Sequence, residues 1–258
     1  MLRNWMSEKI RYIPASVRRQ LRQEVAFGCP VCGNPFLEYH HIVPWSEKQH
    51  NDPDHMVALC PTHHAEYGKR PRSHSYDLKK HPFNAKTGKI KGYLVSDREK
   101  PEFLAGSNIF INTPIIFSYY QIPILKYVVE NGENLLSAYL PDSNFWPELR
   151  IENNDIIANT RDFWDFEFKH NFVSVRKRRG SVFFQVDFRK SVAEVAANLV
   201  ISGMEFKFTP SETSFGNSSI KNSRIESCSA GLSYGERNAR IIPPNYAMRL
   251  PRAILYES

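Results

Sequence analysis

Apolar residues recur at two different spacings along the chain. In PASVRRQLRQEVAF (14–27), Val17, Leu21 and Val25 follow one another at intervals of four residues. This spacing predicts an amphipathic helix with a basic outer face, which ends at Gly28. Beyond residue 100, apolar and polar residues alternate instead, which predicts β-strands. We therefore expect a fold of the α+β class.

Short elements are predicted between the first helix and residue 100. Residues 37–45, LEYHHIVPW, predict a strand and a turn, and residues 46–55 predict a polar loop. Residues 56–68, MVALCPTHHAEYG, predict a short strand or turn running into a helix that Gly68 ends. Residues 69–92 are basic and punctuated by Pro and Gly, so we expect a flexible arm or linker there.

Alternating segments predict a strand-rich region after residue 100. They are NIFINTPIIFSYY (108–120), LRIENNDIIANT (149–160), FWDFEFKHNFVSVRKRRGSVFFQVDF (163–188) and MEFKFTP (204–210). The third segment predicts two or three antiparallel strands with a turn at KRRG. Only KSVAEVAANLVISG (190–203) favours a helix, and we expect the tail after residue 210 to be loop-like. The region as a whole is predicted to be an antiparallel sandwich or meander.

Net positive charge and histidine are concentrated at the front of the chain. Residues 1–100 contain 17 Lys/Arg and 10 Asp/Glu, whereas residues 101–258 contain 17 of each. Eight of the nine histidines also precede residue 100, which leaves only His170 in the remainder. This asymmetry predicts two units with different tasks, a basic domain of residues 1–95 and a β-rich domain of residues 105–258.

Other features of the sequence exclude several protein classes. The chain has no run of about 18 apolar residues to span a bilayer, and its start lacks the apolar region of a secretory signal. We therefore expect a cytoplasmic protein with no membrane partner. The four cysteines do not predict a disulfide scaffold, because three cluster near the N-terminus and Cys228 lies far from them.

The three clustered cysteines belong to two pairs with the spacing of metal ligands. Cys29-x-x-Cys32 and Cys60-x-x-His63 are separated by 27 residues, which is typical of a closed tetrahedral structural zinc site. The alternative is a group of buried free thiols. A zinc ion would clamp the two ends of the intervening segment and contribute folding free energy to a small unit.

Two adjacent histidines lie inside this clamp. On a strand, neighbouring side chains point to opposite faces, so His40 and His41 are expected to have different roles. On the helix that begins near His63, successive side chains diverge by about 100°. His63 can therefore face the zinc while His64 points toward the strand.

The segments CPVC, LEYHHIVPW and HMVALCPTHH resemble the HNH nucleases of the ββα-metal fold. That family usually shows CxxC, then D/H-H-I-x-P, then N-L-x-x-L-C-x-x-C-H. The resemblance covers residues 14–68, about a fifth of the chain. It implies an N-terminal ββα-metal nuclease domain with a structural zinc ion, followed by the β-rich domain.

The resemblance also implies a role for each matched position. His40 and His64 take the positions that bind the catalytic Mg²⁺ or Mn²⁺, and His41 takes the position of the general base. His55 stands where the family has its middle Asn, which orders the loop carrying the base. Asn51 and Asp54 are nearby alternatives for that role.

Two further assignments remain open at this point. His63 stands where the family usually has Cys, so His63 and His64 could exchange duties, although the register favours His63 for zinc. Glu38 shares a strand face with His40, so it either orients His40 or lies on the surface. His50, His74 and His81 are interpreted as loop histidines.

The expected substrate follows from the charge and from the resemblance. Basic residues on the first helix and on the arm suit contacts with a phosphate backbone. They are Arg18, Arg19, Arg22, Lys69, Arg70 and Arg72. DNA is the substrate that the resemblance implies, and RNA remains open.

The resulting hypothesis is a metal-dependent HNH endonuclease that hydrolyses DNA in restriction or antiphage defence. One alternative is a zinc-knuckle protein that binds nucleic acid without catalysis. Another is a nuclease effector that a partner or ligand activates through the β-rich domain. The β-rich domain is expected to serve target recognition, regulation or oligomerisation, with a second copy or a defence-system protein as its partner.

Overall fold

The computed structural model describes residues 12–96 and 100–235. The chain divides into two compact units, one ending at Gly88 and the other beginning at Lys89. We call them the N-terminal unit and the C-terminal unit. The α+β class with a β-rich second part, predicted from the sequence, is confirmed.

The described part of the N-terminal unit is mainly helical and contains one small hairpin. Its helices are α1 (Ala15–Glu24), α2 (Pro61–Tyr67), α3 (Arg72–Lys80) and α4 (Phe83–Thr87), and its strands are β1 (Glu38–His41) and β2 (Met56–Leu59). A single 3-10 turn spans Pro53–His55. Leu21 of α1 and Val25, which directly follows the helix, pack with the fully buried strand β2, so the predicted amphipathic helix lies against this core.

The hairpin and helix α2 bring the predicted site residues together. Strands β1 and β2 pair antiparallel, with His40 opposite Val57 and His41 opposite Met56. Helix α2 begins directly after β2, and Pro61 at its first position suits a helix start. This order, two strands and then a helix, is the ββα arrangement that the sequence predicts.

The prediction of a flexible arm over residues 69–92 is wrong. These residues form α3, α4 and a strand, β3 (Lys89–Tyr93). Ser75 of α3 and Asn84 of α4 are buried, so both helices pack against the rest of the N-terminal unit. Strand β3 belongs to the sheet of the C-terminal unit, whereas the sequence analysis assigned it to the first domain.

The described part of the C-terminal unit consists of strands. After β3 they are β4 (Glu102–Ala105), β5 (Asn108–Ile111), β6 (Ile115–Tyr119), β7 (Ile122–Glu130), β8 (Glu133–Pro141), β9 (Pro147–Glu152), β10 (Asp155–Asn159), β11 (Asp165–Lys169), β12 (Phe172–Arg178), β13 (Ser181–Asp187), β14 (Ala193–Ile201), β15 (Met204–Thr209), β16 (Glu212–Phe215), β17 (Ser218–Ile220), β18 (Arg224–Glu226) and β19 (Ala230–Tyr234).

These strands form two sheets. One has the order β19-β6-β7-β8-β9-β10-β3, and the other is a meander from β11 to β17 extended by β4, β5 and β18. Aromatic rings from the two sheets contact each other, since the centroid of Phe117 lies 5.0 Å from that of Phe206 and Phe103 lies 4.5 Å from Tyr127. The unit is therefore a sandwich with an aromatic core.

Two of the sequence expectations for this unit are wrong. Residues 190–203 were expected to favour a helix, but β14 lies there, and alternate residues from Ala193 to Ile201 are buried. The tail after residue 210 was expected to be loop-like, but it contains β16, β17, β18 and β19. Strands β18 and β19 pair in parallel with the distant β5 and β6, so their formation depends on long-range contacts.

Candidate metal centre and active site

Four side chains of the N-terminal unit converge on one point. The ligand atoms of Cys29, Cys32, Cys60 and His63 all lie within 4.8 Å of one another. The sulfur of Cys60 is 3.1 Å from Nδ1 of His63 and 3.9 Å from the sulfur of Cys32, and the sulfur of Cys29 is 3.5 Å from the same Nδ1. His63, and not His64, joins the cysteines.

The loop that carries Cys29 and Cys32 is a tight turn held by backbone and side-chain bonds. The N–H of Gly33 donates to the carbonyl of Cys29 at 2.7 Å, and Gly33 adopts a φ of 79° that favours glycine. Asn84 of α4 donates to the carbonyl of Gly33 at 3.3 Å. A Cβ on Gly28 would lie 2.1 Å from Nδ2 of Asn84, so this position also needs glycine. Helix α4 therefore braces the cysteine turn.

The geometry of this cluster fits a zinc ion. Tetrahedral zinc, with Zn–S bonds of about 2.3 Å and Zn–N bonds of about 2.0 Å, separates two sulfurs by about 3.8 Å and a sulfur from a nitrogen by about 3.5 Å. Burial, and after it the neighbouring Cys29, raises the pKa of Cys60 to about 12 when no cation balances the thiols. A thiolate here therefore requires a positive charge close by, which zinc supplies.

Two further histidines, His40 of β1 and His64 of α2, lie close together. The ring centroids of His40 and His64 are 5.2 Å apart, in an edge-to-face arrangement. Nδ1 of His64 donates to the carboxylate of Glu38 at 2.6 Å. Because Nδ1 is used in this bond, Nε2 is the ring nitrogen of His64 that could bind a metal ion, as in a carboxylate–histidine–metal arrangement. Glu38, which the sequence analysis considered as a partner of His40, contacts His64 instead.

The surroundings of His40 favour its neutral form. Burial lowers the pKa of His40 to about 4, and the neighbouring His64 and His41 add to this effect. A neutral imidazole has a lone pair for a metal ion at physiological pH. Two histidines leave most of the coordination shell open, which fits a catalytic divalent ion that also binds substrate.

His41 occupies the other face of β1 and is 6% exposed. Its Nε2 lies 3.0 Å from the backbone carbonyl of His50. A carbonyl oxygen only accepts hydrogen bonds, so Nε2 carries the proton and Nδ1 is the basic nitrogen of the neutral ring. The ring of Trp45 packs edge-to-face against His41 with centroids 5.5 Å apart.

Comparisons with known proteins agree with this arrangement. Residues 29–70 match the family model described as HNH endonuclease. The chain belongs to the HNH endonuclease family. A stretch of 66 residues, 25% of the chain, is 32% identical to Anaredoxin from Nostoc sp. (strain PCC 7120) and covers 87% of that protein. No solved structure matches the chain significantly.

The HNH family assignment indicates nuclease chemistry for this part of the chain, and the Cys/His cluster is compatible with structural zinc. It gives no function to the C-terminal unit, which lies outside the matched residues. Among the described residues, no helix has the length and apolar character needed to cross a bilayer.

The three residues considered for the middle position of the HNH motif have separate contacts. Nδ1 of His55 lies 2.8 Å from the hydroxyl oxygen of Tyr76. The carbonyl of His55 accepts a hydrogen bond from the N–H of Ile42 at 2.9 Å. Asn51 donates to the carbonyl of Tyr12 at 2.9 Å. The backbone N–H of Asp54 donates to Asp52. Of the three, only His55 bonds the residue that follows β1, Ile42, and its side chain also contacts Tyr76 of α3.

His50 is the residue of this HNH unit that sequence reasoning missed. It was interpreted as a loop histidine, yet it is 8% exposed and its ring centroid lies 5.2 Å from that of His41. Its sequence signal was weak, because His50 stands within a polar loop, SEKQHNDPDH. Its position between the HHI segment and the second strand was the one feature that could have indicated a place near His41.

The basic residues predicted to contact phosphate differ in their surroundings. Arg22 is 5% exposed and donates to the hydroxyl of Tyr39 at 2.6 Å, so it belongs to the interior of the unit. Arg70 pairs with Glu66, and Arg72 pairs with Glu47. The remaining three, Arg18, Arg19 and Lys69, are at least partly exposed.

Proposed function

We propose that the chain is a metal-dependent endonuclease that hydrolyses DNA phosphodiester bonds through its N-terminal unit. The observation that carries the proposal is the division of two adjacent histidines between the faces of β1. His40 faces the second ligand, His64, at 5.2 Å between ring centroids, whereas His41 donates through Nε2 to the carbonyl of His50. A zinc knuckle that only binds nucleic acid needs neither arrangement.

Each residue has a definite role in this proposal. His41 accepts a proton from the attacking water at Nδ1, because Nε2 already carries a proton that bonds the carbonyl of His50. His40 and His64 would hold Mg²⁺ or Mn²⁺, and Glu38 keeps the Nδ1–H tautomer of His64. The ion, when bound, polarises a phosphate oxygen and stabilises the leaving alkoxide. His55 keeps the end of β1 in place and does not touch the substrate.

A structural zinc ion at Cys29, Cys32, Cys60 and His63 is part of the same proposal. It would join the cysteine turn to the N-terminus of α2, which carries His64 three positions after Pro61. Loss of zinc would therefore displace a catalytic metal ligand as well as unfold the turn.

We propose DNA as the substrate because the HNH resemblance implies it, and the excess positive charge in residues 1–100 suits a polyanionic backbone. Arg18, Arg19, Lys69, Arg70 and Arg72 are the proposed phosphate contacts. Arg22 is left out of this interface, because its guanidinium already donates to Tyr39 inside the unit. Phosphate contacts of this kind position a duplex without reading its sequence.

Cleavage of plasmid and linear DNA by the full chain, with and without Mg²⁺ or Mn²⁺, tests the proposal. His41→Ala is expected to abolish cleavage while zinc content and thermal unfolding stay unchanged, since His41 lies outside the zinc cluster. His74→Ala, at an exposed histidine of α3, is the matched control and should cleave normally. Equal activity in His41→Ala would contradict the assignment, and DNA binding without any cleavage would favour the zinc-knuckle alternative.

The C-terminal unit is proposed to direct or restrain the nuclease, in a restriction or antiphage setting and inside the cell. This proposal is supported by an analogy, since nucleases with an appended domain are common in such systems. Phage plating on cells that carry the intact gene or its His41→Ala variant tests the setting. Protection by the intact gene alone is the expected result.

A further inference from the structure

The loop between β1 and the 3-10 turn has no regular structure from residue 42 to residue 52, yet it carries the acceptor of His41. That acceptor is a backbone carbonyl, so its direction depends on the conformation of the loop. A general base that bonds a mobile carbonyl would exchange between tautomers and orientations. Something must therefore hold residue 50 in place.

The side chain of His50 supplies this restraint through both of its ring nitrogens. Nε2 donates to the carbonyl of Val43 at 3.0 Å, near the start of the loop. Nδ1 accepts from the backbone N–H of Asp52 at 3.1 Å, near its end. His50 is 8% exposed and both bonds are partly buried, so loss of either partner would leave a poorly solvated polar group, which is costly. The imidazole therefore ties the two ends of the loop together.

The same ring stands in a row of aromatic contacts. Its centroid is 5.2 Å from that of His41 and 6.0 Å from that of His55, and His55 lies 6.1 Å from Tyr76 of α3. His50 thus contacts the ring of His41 directly and also presents the carbonyl to which that ring donates. Ring and carbonyl belong to one residue, so the two hydrogen bonds of the ring restrain the residue whose carbonyl orients His41.

We propose that His50 is a positioning residue that holds His41 in the Nε2–H tautomer, with Nδ1 as the nitrogen that takes a proton from the attacking water. The part of this inference that concerns catalysis rests on the proposed nuclease function, whereas the tautomer of His41 does not. His50 itself touches neither DNA nor the metal ligands. It acts through the backbone of the loop, in the way that an orienting group fixes the tautomer of a catalytic histidine.

Two substitutions at position 50 test the role of the side chain in the full-length protein. His50→Leu keeps an apolar volume and removes both hydrogen bonds. His50→Gln keeps one donor and one acceptor, separated by about the same distance as the two imidazole nitrogens. His74→Leu, at an exposed histidine of α3, is the control for loss of an imidazole.

The decisive readout is the two-bond ¹H–¹⁵N spectrum of the full chain labelled with ¹⁵N-histidine. The His41 signals are identified by their loss in His41→Ala. We expect the Nε2–H pattern for His41 in the unaltered chain and in His50→Gln, and a mixed pattern in His50→Leu. An Nδ1–H pattern in the unaltered chain, or an unchanged pattern in His50→Leu, would overturn the proposal.

Kinetics with Mn²⁺ and DNA give the second readout. His50→Leu should lower kcat by about tenfold or more with KM within about twofold, because a misplaced base slows the chemical step and leaves phosphate contacts intact. His50→Gln should restore most of kcat, and zinc content should equal that of the unaltered chain in both. If His50→Leu does not fold, His50→Gln decides the matter. An unchanged kcat in His50→Gln together with a mixed tautomer of His41 would then refute the proposal. Absence of cleavage by the unaltered chain would refute the nuclease function, and the spectrum alone would then decide the role of His50.

Discussion

The two units are stabilised by different kinds of interaction. The N-terminal unit has a small apolar core around Leu21, Met56 and Leu59, and beside it lies a Cys/His cluster that fits zinc. The C-terminal unit is a sandwich whose core contains large aromatic side chains such as Phe103, Phe184 and Phe206. The C-terminal unit has a large apolar core to stabilise it, whereas we expect the smaller N-terminal unit to gain folding free energy from a bound zinc ion.

This difference also separates the candidate chemistry. The proposed ligands and the proposed base lie in the N-terminal unit, within 25 residues from His40 to His64. Helices α3 and α4 contact the short elements that hold them. Asn84 bonds the cysteine turn, and Lys79 donates to the carbonyls of Pro53 and Met56 at 2.6 and 3.1 Å. A small unit can therefore present a precise site when polar contacts replace a large core.

The largest expected effect comes from breaking the zinc cluster. Cys60→Ser should unfold the N-terminal unit and leave the C-terminal unit folded, because structural zinc contributes on the order of 10 kcal/mol in small zinc modules. Hydrogen exchange measured separately on peptides of each unit, together with zinc content, checks this. Cys228→Ser, at an exposed cysteine of the other unit, is the control and should change neither quantity. If the N-terminal unit stayed fully protected from hydrogen exchange without zinc, its proposed dependence on the metal would be wrong.

A smaller effect is expected from a cavity in the sandwich. Phe206 is 1% exposed and its ring contacts those of Phe117 and Tyr234 at 5.0 and 5.3 Å. Phe206→Ala should lower the free energy of unfolding of the C-terminal unit by about 3–5 kcal/mol, without loss of zinc. Urea unfolding followed by hydrogen exchange measures this. Val200→Ala, at a position that is 51% exposed, is the control with a small expected change.

The smallest of the three effects concerns a buried carboxylate of the sandwich. Asp187 is 4% exposed and accepts from Nε and Nη2 of Arg189, both at 2.8 Å. These bonds hold the pKa of Asp187 below its ordinary value of 3.8. Asp187→Asn should therefore cost about 1–3 kcal/mol of unfolding free energy at pH 7.

The pH dependence of that difference checks its origin. Because the folded pKa of Asp187 is lowered, its stabilisation is present above the unfolded value and is lost as pH falls through the folded value. The difference in unfolding free energy between the unaltered chain and Asp187→Asn should become smaller below pH 3.8. Glu226→Gln is the matched control, since Glu226 bonds Arg224 at the same spacing but on the surface. A gap that is constant with pH would contradict the role of the ion pair.

Most of the hairpin and α2, and the convergence of the four Cys/His side chains, could be predicted from sequence because they depend on local spacing. Cys29-x-x-Cys32 and Cys60-x-x-His63 place their ligands by the geometry of one turn. The placement of His40 and His41 on opposite faces of β1 follows from the alternation of side chains along a strand. The position of His50 could not be predicted, because its partners are backbone groups of an irregular loop.

The incorrect sequence predictions have two physical causes. Ala-rich residues 193–201 suit a helix locally, but neighbouring strands on both sides select the extended form and bury alternate side chains. Residues 69–92 show weak periodicity because α3 and α4 bury few side chains. Asn131-Gly132, which joins β7 to β8, has the composition of a tight hairpin turn and predicts that hairpin.

We propose that the whole chemical site lies within the N-terminal unit, which ends at Gly88. A fragment of residues 1–88 tests it most directly, in an assay of zinc content and of Mn²⁺-dependent cleavage of plasmid DNA beside the full chain. We predict that the fragment binds zinc and cleaves DNA, with less selectivity than the full chain, and that His41→Ala in the fragment abolishes cleavage. A folded, zinc-bound fragment that leaves DNA intact while the full chain cleaves it would contradict this account.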